Sequence, residues 1–176
     1  MMTKFIAFLL LGLTASLGFA DDHGADVSSC VEGHSKLQVG NWVGEGWVAP
    51  LGAQLNKFGF TSEITEKDGM ISSTLTNSAG NEFSNSWAVG SLSRESEIGW
   101  VEEKTVIQTV DSCVEQQGVF RIQESWIGTV PDSGAKLENI VQTSVSEGLL
   151  WQTLASRPYG SDMPFGVWWV NSATRK

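Results

Sequence analysis

The sequence is poor in the residues that most enzymes and metal sites need. It has two histidines, two cysteines and one tyrosine, and both histidines, His23 and His34, precede the first predicted strand. Nucleophilic catalysis needs an activated serine, threonine or cysteine with a base in reach, usually a histidine, and a zinc site needs about three suitable ligands. The chain after residue 34 offers neither pattern. We therefore expect no metal and no catalytic residues of the usual kinds.

Basic residues are also scarce. Eleven lysines and arginines stand against twenty aspartates and glutamates, which gives a formal net charge of −9 at pH 7. Nucleic-acid binding needs clustered basic side chains that displace counterions from phosphates. The basic residues here are scattered, so we expect no nucleic-acid partner. The acidic balance favours a monomer that stays in solution.

Long apolar stretches are confined to the N-terminus. Lys4 precedes the apolar run 5–13, and Gly18 and Ala20 place small side chains just before an acidic stretch. This order is typical of a cleaved secretory signal peptide, and the run is shorter than a bilayer span. We predict a signal peptide over residues 1–20, no membrane span, and a mature protein that is secreted or periplasmic.

The two cysteines, Cys30 and Cys113, fit an exported protein. There is no Cys-x-x-Cys motif and no histidine cluster beside them, which argues against a redox or metal pair. In an oxidising compartment an even pair usually forms one disulfide. We predict that this disulfide ties a flexible N-terminal arm, residues 21–36, to the middle of a single domain, residues 37–176.

From residue 37 onward the sequence alternates between apolar and polar residues in short runs. No long helical stripe appears, and turn residues separate the runs, as at 67–69, 77–80 and 131–134. Alternation with a period of two residues indicates antiparallel strands. Hairpins in series favour an all-β, up-and-down barrel of about 8–10 strands over a two-sheet sandwich, because the sandwich needs long return connections.

The first predicted strand carries two motifs in overlap. Gly40, Trp42, Gly44 and Gly46 form a Gly-x-Trp and a Trp-x-Gly-x-Gly pattern. This segment resembles the first strand of the calycin barrels, since lipocalins begin with Gly-x-Trp and nitrobindin-like barrels with Trp-x-Gly-x-Gly. It is also similar to small secreted bacterial proteins. The close match covers residues 40–46, and strand spacing carries the rest.

The resemblance implies that these residues are structural. In such barrels the tryptophan plugs the closed end and packs on a basic side chain from late in the chain, so Arg157 and Arg175 are the candidate partners of Trp42. Nitrobindin-like proteins hold haem through a late histidine. This sequence has no histidine there, so we expect no cofactor, and haem would need Tyr159 or Met163 as its ligand.

Tryptophan is the residue in excess, with eight copies against one tyrosine. Some will fill the barrel, whereas others can line a cavity or stack on a flat ligand. Alternation within each strand places several polar side chains on the same face as large apolar ones. An apolar cavity with a few convergent polar groups is the usual form of a small-molecule site. The predicted ligand-binding residues are Trp87, Trp100, Trp126, Arg94, Glu124, Asn85 and Asn139.

Two charged residues, Arg94 and Glu124, belong to this set. A buried and unpaired charge is costly in free energy. The two side chains are therefore expected either to pair with each other or to lie in water near the barrel mouth.

Three functions remain open from the sequence. The first is a lipocalin-like carrier that holds a small apolar or aromatic molecule in a tryptophan-lined cavity. The second is a surface module that binds glycan or protein through exposed tryptophan, with one of Trp168 and Trp169 inside and the other outside, because neighbours on a strand face opposite ways. The third is a barrel enzyme, such as an isomerase, that acts through Glu124 in an apolar pocket.

Overall fold

The computed structural model describes residues 26–49 and 56–176, and the predicted signal peptide over residues 1–20 lies outside them. No helix in the described chain is long and apolar enough to cross a membrane. In this part of the chain one helix precedes ten strands: α1 (Asp26–Gln38), β1 (Gly40–Val48), β2 (Asn56–Lys67), β3 (Met70–Asn77), β4 (Glu82–Ala88), β5 (Ser93–Glu97), β6 (Thr105–Gln116), β7 (Val119–Thr129), β8 (Lys136–Val145), β9 (Leu149–Pro158) and β10 (Gly166–Arg175).

The strands close into one antiparallel up-and-down barrel, which confirms the predicted fold class. Each strand pairs with its neighbours in the chain, and β1 also pairs with β10. Two-residue turns link β2 to β3 at Asp68-Gly69 and β6 to β7 at Gln117-Gly118, and each of these residues has a positive φ. Such turns match the right-handed twist of the strands that they join. Sequential hairpins of this kind let the sheet curl until its first and last strands meet.

The described part of the arm predicted over residues 21–36 forms a helix instead, namely α1. Its buried residues Cys30, Val31, His34, Ser35 and Gln38 recur at helical spacing. Three of these five are polar, so the stripe that faces the barrel is mainly polar. The pattern of apolar residues therefore gave no sign of this helix.

α1 covers the end of the barrel at which β1 begins, which we call the closed end. The predicted disulfide is confirmed, and it joins Cys30 of α1 to Cys113 of β6 across 83 residues. Trp87 of β4 donates its indole N–H to Ser35 Oγ at 3.2 Å. The helix is thus attached to the barrel both covalently and by a buried hydrogen bond.

Trp42 lies at the closed end, as the resemblance implies. Its indole N–H donates to the backbone oxygen of Gln38 at 2.7 Å. The guanidinium carbon of Arg175 lies 4.7 Å from the centre of its ring. Arg175 is therefore the basic partner of Trp42. The other candidate, Arg157, pairs with Glu138 at 2.7 Å.

The glycines of the first strand have steric roles. Gly40 has a φ of 144°, which residues with a side chain rarely adopt. A Cβ on Gly44 would collide with the backbone oxygen of Ser172 on β10, and a Cβ on Gly46 would overlap the ring of Phe58 on β2. The motif therefore lets both neighbouring strands pack closely on β1.

Buried apolar side chains form two clusters along the barrel. The cluster at the closed end contains Trp42, Phe60, Ile64, Ile71, Trp87, Val145, Leu150 and Ala173. The second cluster contains Val101, Val106, Trp126, Val141 and Leu154.

Candidate ligand-binding cavity

The barrel holds a cavity of about 440 Å³. Its lining runs from Gln38 and Trp42 at the closed end to Asn77 and Phe83, which lie at the other end of the barrel. Both core clusters contribute to the lining, so the interior is not packed solid from end to end. A volume of this size lies within the range of about 300–1,000 Å³ that is usual for small-molecule sites.

Three indole rings form a continuous aromatic wall on one side of the cavity. The ring centres of Trp100 and Trp126 are 5.3 Å apart, and those of Trp100 and Trp168 are 5.0 Å apart. The Trp100 and Trp168 rings meet edge to face, with an angle of 85° between their planes. Both distances are in the range at which aromatic rings attract each other. The wall is therefore held in shape by its own ring contacts.

The prediction that one of Trp168 and Trp169 faces outward is wrong, because both side chains line the cavity. The pairing of β10 with β9 shifts between Val167 and Trp169, so Trp168 is an extra residue in the ladder. Such a β-bulge interrupts the alternation of faces along a strand. The pair therefore provides no aromatic row on the outer surface.

Trp100 reaches the cavity from a loop and not from a strand. Alternation over residues 94–100 predicts that Trp100 lies on the same strand as Arg94, but β5 ends at Glu97. A tight loop follows, in which the Ile98 N–H donates to the Lys104 oxygen at 2.6 Å. Ile98 and Trp100 both line the cavity from this loop.

Arg94 and Glu124 pair with each other, which is the first of the two alternatives left open by the sequence. Arg94 Nε lies 3.3 Å from Glu124 Oε1, and the two side chains are 9% and 1% exposed. The guanidinium carbon of Arg94 is 3.8 Å from the centre of the Trp87 ring. Arg94 lines the cavity, whereas Glu124 lies behind the lining. The pair therefore presents its cationic member to the cavity.

Asn85 lines the cavity, but Asn139 does not. Asn139 is fully buried, and its Oδ1 accepts a hydrogen bond from Ser156 Oγ at 2.5 Å. The indole N–H of Trp168 donates to the same hydroxyl at 2.8 Å. Asn139 therefore holds the Ser156 hydroxyl in place, and that hydroxyl orients the indole of Trp168 in the cavity wall. Of the predicted set, the structure brings Trp87, Trp100, Trp126, Arg94 and Asn85 to the lining.

Several lining residues were missed from the sequence. Gln108 lies directly opposite Arg94 in the pairing of β5 with β6 and is 7% exposed. The sequence could have identified Gln108, because alternation over residues 105–110 places it on the same face as Val106 and Val110. Gln38 contributes from α1, and no apolar periodicity marked that helix.

His34 is buried beneath the barrel and is fully inaccessible. Neither ring nitrogen has a hydrogen-bond partner in the described structure. Burial, and secondarily the positive charge of Arg94, lowers the pKa of His34 from 6.5 to about 3. The side chain is therefore a neutral imidazole at neutral pH, and it does not line the cavity.

The residues near the cavity do not fit haem ligation. Tyr159 and Met163, the candidates that the resemblance left open, are 57% and 59% exposed and lie outside the lining. Residues 26–49 and 56–176 contain no cluster of three or more side chains able to hold a metal ion. The polar groups that the described chain presents to the cavity are suited to hydrogen bonding.

Comparison with known proteins supports the fold alone. No protein-family profile and no curated protein matches the chain. Among solved structures, the chain is similar to the one titled "Crystal Structure of Rv2717c from M. tuberculosis", with a TM-score of 0.62 and 13% sequence identity. The match covers 86% of this chain and 99% of that chain. At this identity the comparison shows a shared fold and no more.

Proposed function

We propose that this protein binds a small, mainly apolar or aromatic molecule inside its barrel and acts as a lipocalin-like carrier. The observation that carries the proposal is a cavity of about 440 Å³ whose wall combines an indole cluster with one buried arginine. The indoles offer apolar surface and flat faces for stacking. Arg94 and Asn85 supply the polar contacts that orient a ligand.

The geometry favours this function over the two rivals. A surface module needs a row of exposed aromatic side chains, and Trp168 and Trp169 line the interior instead. A barrel enzyme acting through Glu124 needs that carboxylate to reach the substrate, and Glu124 lies behind Arg94 with 1% of its side chain exposed. A carrier needs neither feature.

The proposal includes export from the cytoplasm and a monomeric state. The disulfide between Cys30 and Cys113 supports export, because disulfides persist mainly in oxidising compartments. The pattern of residues 1–20 is that of a cleaved signal peptide. A closed barrel has no free sheet edge with which to recruit a second chain, which supports the monomer.

Binding can be measured with N-phenylnaphthylamine, an uncharged probe whose fluorescence rises in apolar surroundings. We expect saturable binding with one site per chain and energy transfer from the cavity tryptophans. Trp126→Ala should weaken binding about tenfold or more, because it removes one of the three rings of the aromatic wall. Circular dichroism in the aromatic region establishes that the variant is folded.

Trp151→Ala is the matched control. Trp151 lies on β9, is 43% exposed and does not line the cavity, so its removal should leave the affinity unchanged. Failure of the wild-type protein to bind the probe would overturn the proposal. Equal losses in the two variants would show that the probe binds elsewhere.

A further inference from the structure

We infer that the cavity selects uncharged ligands, held through a hydrogen-bond acceptor such as a carbonyl oxygen at Arg94, and that it rejects anions. This inference rests on the proposed carrier function and names the chemical class of the cargo. An arginine inside an apolar cavity would ordinarily attract a carboxylate. The position of Glu124 reverses that expectation.

The cavity carries no surplus of positive charge. Arg94 and Glu97 are the charged residues of the described chain that line it, and they have opposite signs. Glu97 is exposed at the end of β5, on the far side of the cavity from α1. Within the lining, the positive charge of Arg94 is therefore offset by one carboxylate.

Glu124 already compensates the charge of Arg94. Its Oε1 lies 3.3 Å from Arg94 Nε, and the carboxylate is fixed in the wall with 1% exposure. A second carboxylate bound to the same guanidinium would lie close to Glu124, where little water screens the repulsion. The cost of that like-charge contact offsets the attraction to Arg94, whereas a neutral group avoids the repulsion.

Arg94 still has hydrogen-bonding capacity to offer. Its Nε lies 3.3 Å from Glu124 Oε1 but is buried and has no hydrogen-bond partner in the described structure, so this contact is an ion pair alone. The donors that Arg94 can offer to a ligand are therefore its terminal Nη groups. Trp87 covers one face of the guanidinium at 3.8 Å and holds it in place. An arginine has only donors, so the ligand group that it takes up must be an acceptor. Gln108, opposite Arg94 in the ladder, provides a second neutral contact.

Two probes with the same aromatic skeleton test the inference directly. N-phenylnaphthylamine is uncharged, and anilinonaphthalenesulfonate carries one sulfonate on the same framework. Wild-type protein should bind the neutral probe at least about tenfold more tightly. The comparison is made at high salt, which screens the field of the chain's net charge of −9 and leaves buried charges effective.

The Glu124→Gln variant tests whether the charge of Glu124 causes the preference for the neutral probe. It removes the compensating charge and keeps the side-chain shape, so the ratio of anionic to neutral affinity should rise about tenfold or more. Glu138→Gln is the matched control, because Glu138 pairs with Arg157 and does not line the cavity. It should leave the ratio unchanged.

The outcomes distinguish a failure of the charge inference from a failure of the proposed carrier function. Equal or tighter binding of the sulfonate by the wild-type protein overturns the charge inference and leaves the carrier function standing. Binding of neither probe overturns the carrier function and the inference with it. A Glu124→Gln variant that folds, as judged by aromatic circular dichroism, and keeps the wild-type ratio shows that Glu124 does not set the preference.

Discussion

The ring of Trp42 lies against the guanidinium of Arg175, and the same arginine donates from Nη2 to the backbone oxygen of Leu37 at 2.6 Å. One side chain thus connects the first strand, the last strand and the end of α1. Since β1 and β10 are farthest apart in the chain, this contact stabilises the seam where the barrel closes.

Arg175→Ala should lower the free energy of unfolding by about 1–2 kcal/mol, because it removes both a cation–π contact and a hydrogen bond. Urea unfolding followed by tryptophan fluorescence measures the change. Lys36→Ala serves as the comparison, since its exposed pair with Glu32 on α1 is expected to contribute little to stability. A larger loss for Lys36→Ala would mean that the seam contact is unimportant.

Arg94 and Glu124, the buried ion pair in the barrel wall, should show strong coupling in the free energy of unfolding. Arg94→Met leaves Glu124 buried without a counter-charge and should cost about 3–5 kcal/mol. Removing both charges in Arg94→Met/Glu124→Met should recover most of that loss, because the unpaired charge disappears as well. A double-mutant cycle on urea unfolding gives the coupling. Additive losses in the cycle would contradict the ion pair.

Stability should fall in mild acid because of His34. Burial and the charge of Arg94 lower its pKa to about 3 in the folded state, against 6.5 in the unfolded chain. Between these values the unfolded chain binds a proton and the folded protein does not. The free energy of unfolding should therefore drop as the pH falls below 6.5, by about 2 kcal/mol between pH 7.5 and pH 5.

His34→Met tests this contribution, because it removes the imidazole and keeps an apolar side chain of similar size at the site. The variant should lose less stability than the wild type over the same pH interval. It should also fold well at neutral pH, since neither ring nitrogen of His34 has a hydrogen bond in the described structure. Identical pH dependence in the two proteins would refute a buried neutral histidine.

The close approach of β10 to β1 makes Gly44 sensitive to substitution. Gly44→Ala should cost about 1–3 kcal/mol, because the added Cβ collides with the backbone at Ser172, which cannot move aside like a flexible side chain. Thermal unfolding measures the difference. Gly148→Ala is the control, since no atom lies within 4 Å of its added Cβ, and it should change stability little.

Much of the fold could be predicted because the alternation of apolar residues and the turn residues in the sequence match the strands and turns that form. In β7, Ile122, Glu124 and Trp126 are all buried and alternate with the polar residues at 121, 123 and 125. The turn at Asp68-Gly69 is where the sequence places it. The barrel follows from many such hairpins in series.

The features that could not be predicted from the sequence depend on contacts between distant segments of the chain. α1 buries a mainly polar stripe that includes His34 and Gln38, and such a stripe is recognisable only once the barrel beneath it is known. The choice between Arg157 and Arg175 depends on the register of β10 against β1. The place of Asn139 behind the lining depends on Ser156, which lies opposite it on β9.

The irregularity at Trp168 has a consequence for how such a cavity can diversify. A regular strand contributes every second side chain to the interior, so its share of the lining is set by which residues occupy alternate positions. The extra residue in β10 lets two consecutive indoles share one compartment. Insertion or deletion of a single residue at this point would therefore remodel the lining of the cavity without exchanging any amino acid. It would do so far from the helix and disulfide that hold the opposite end together.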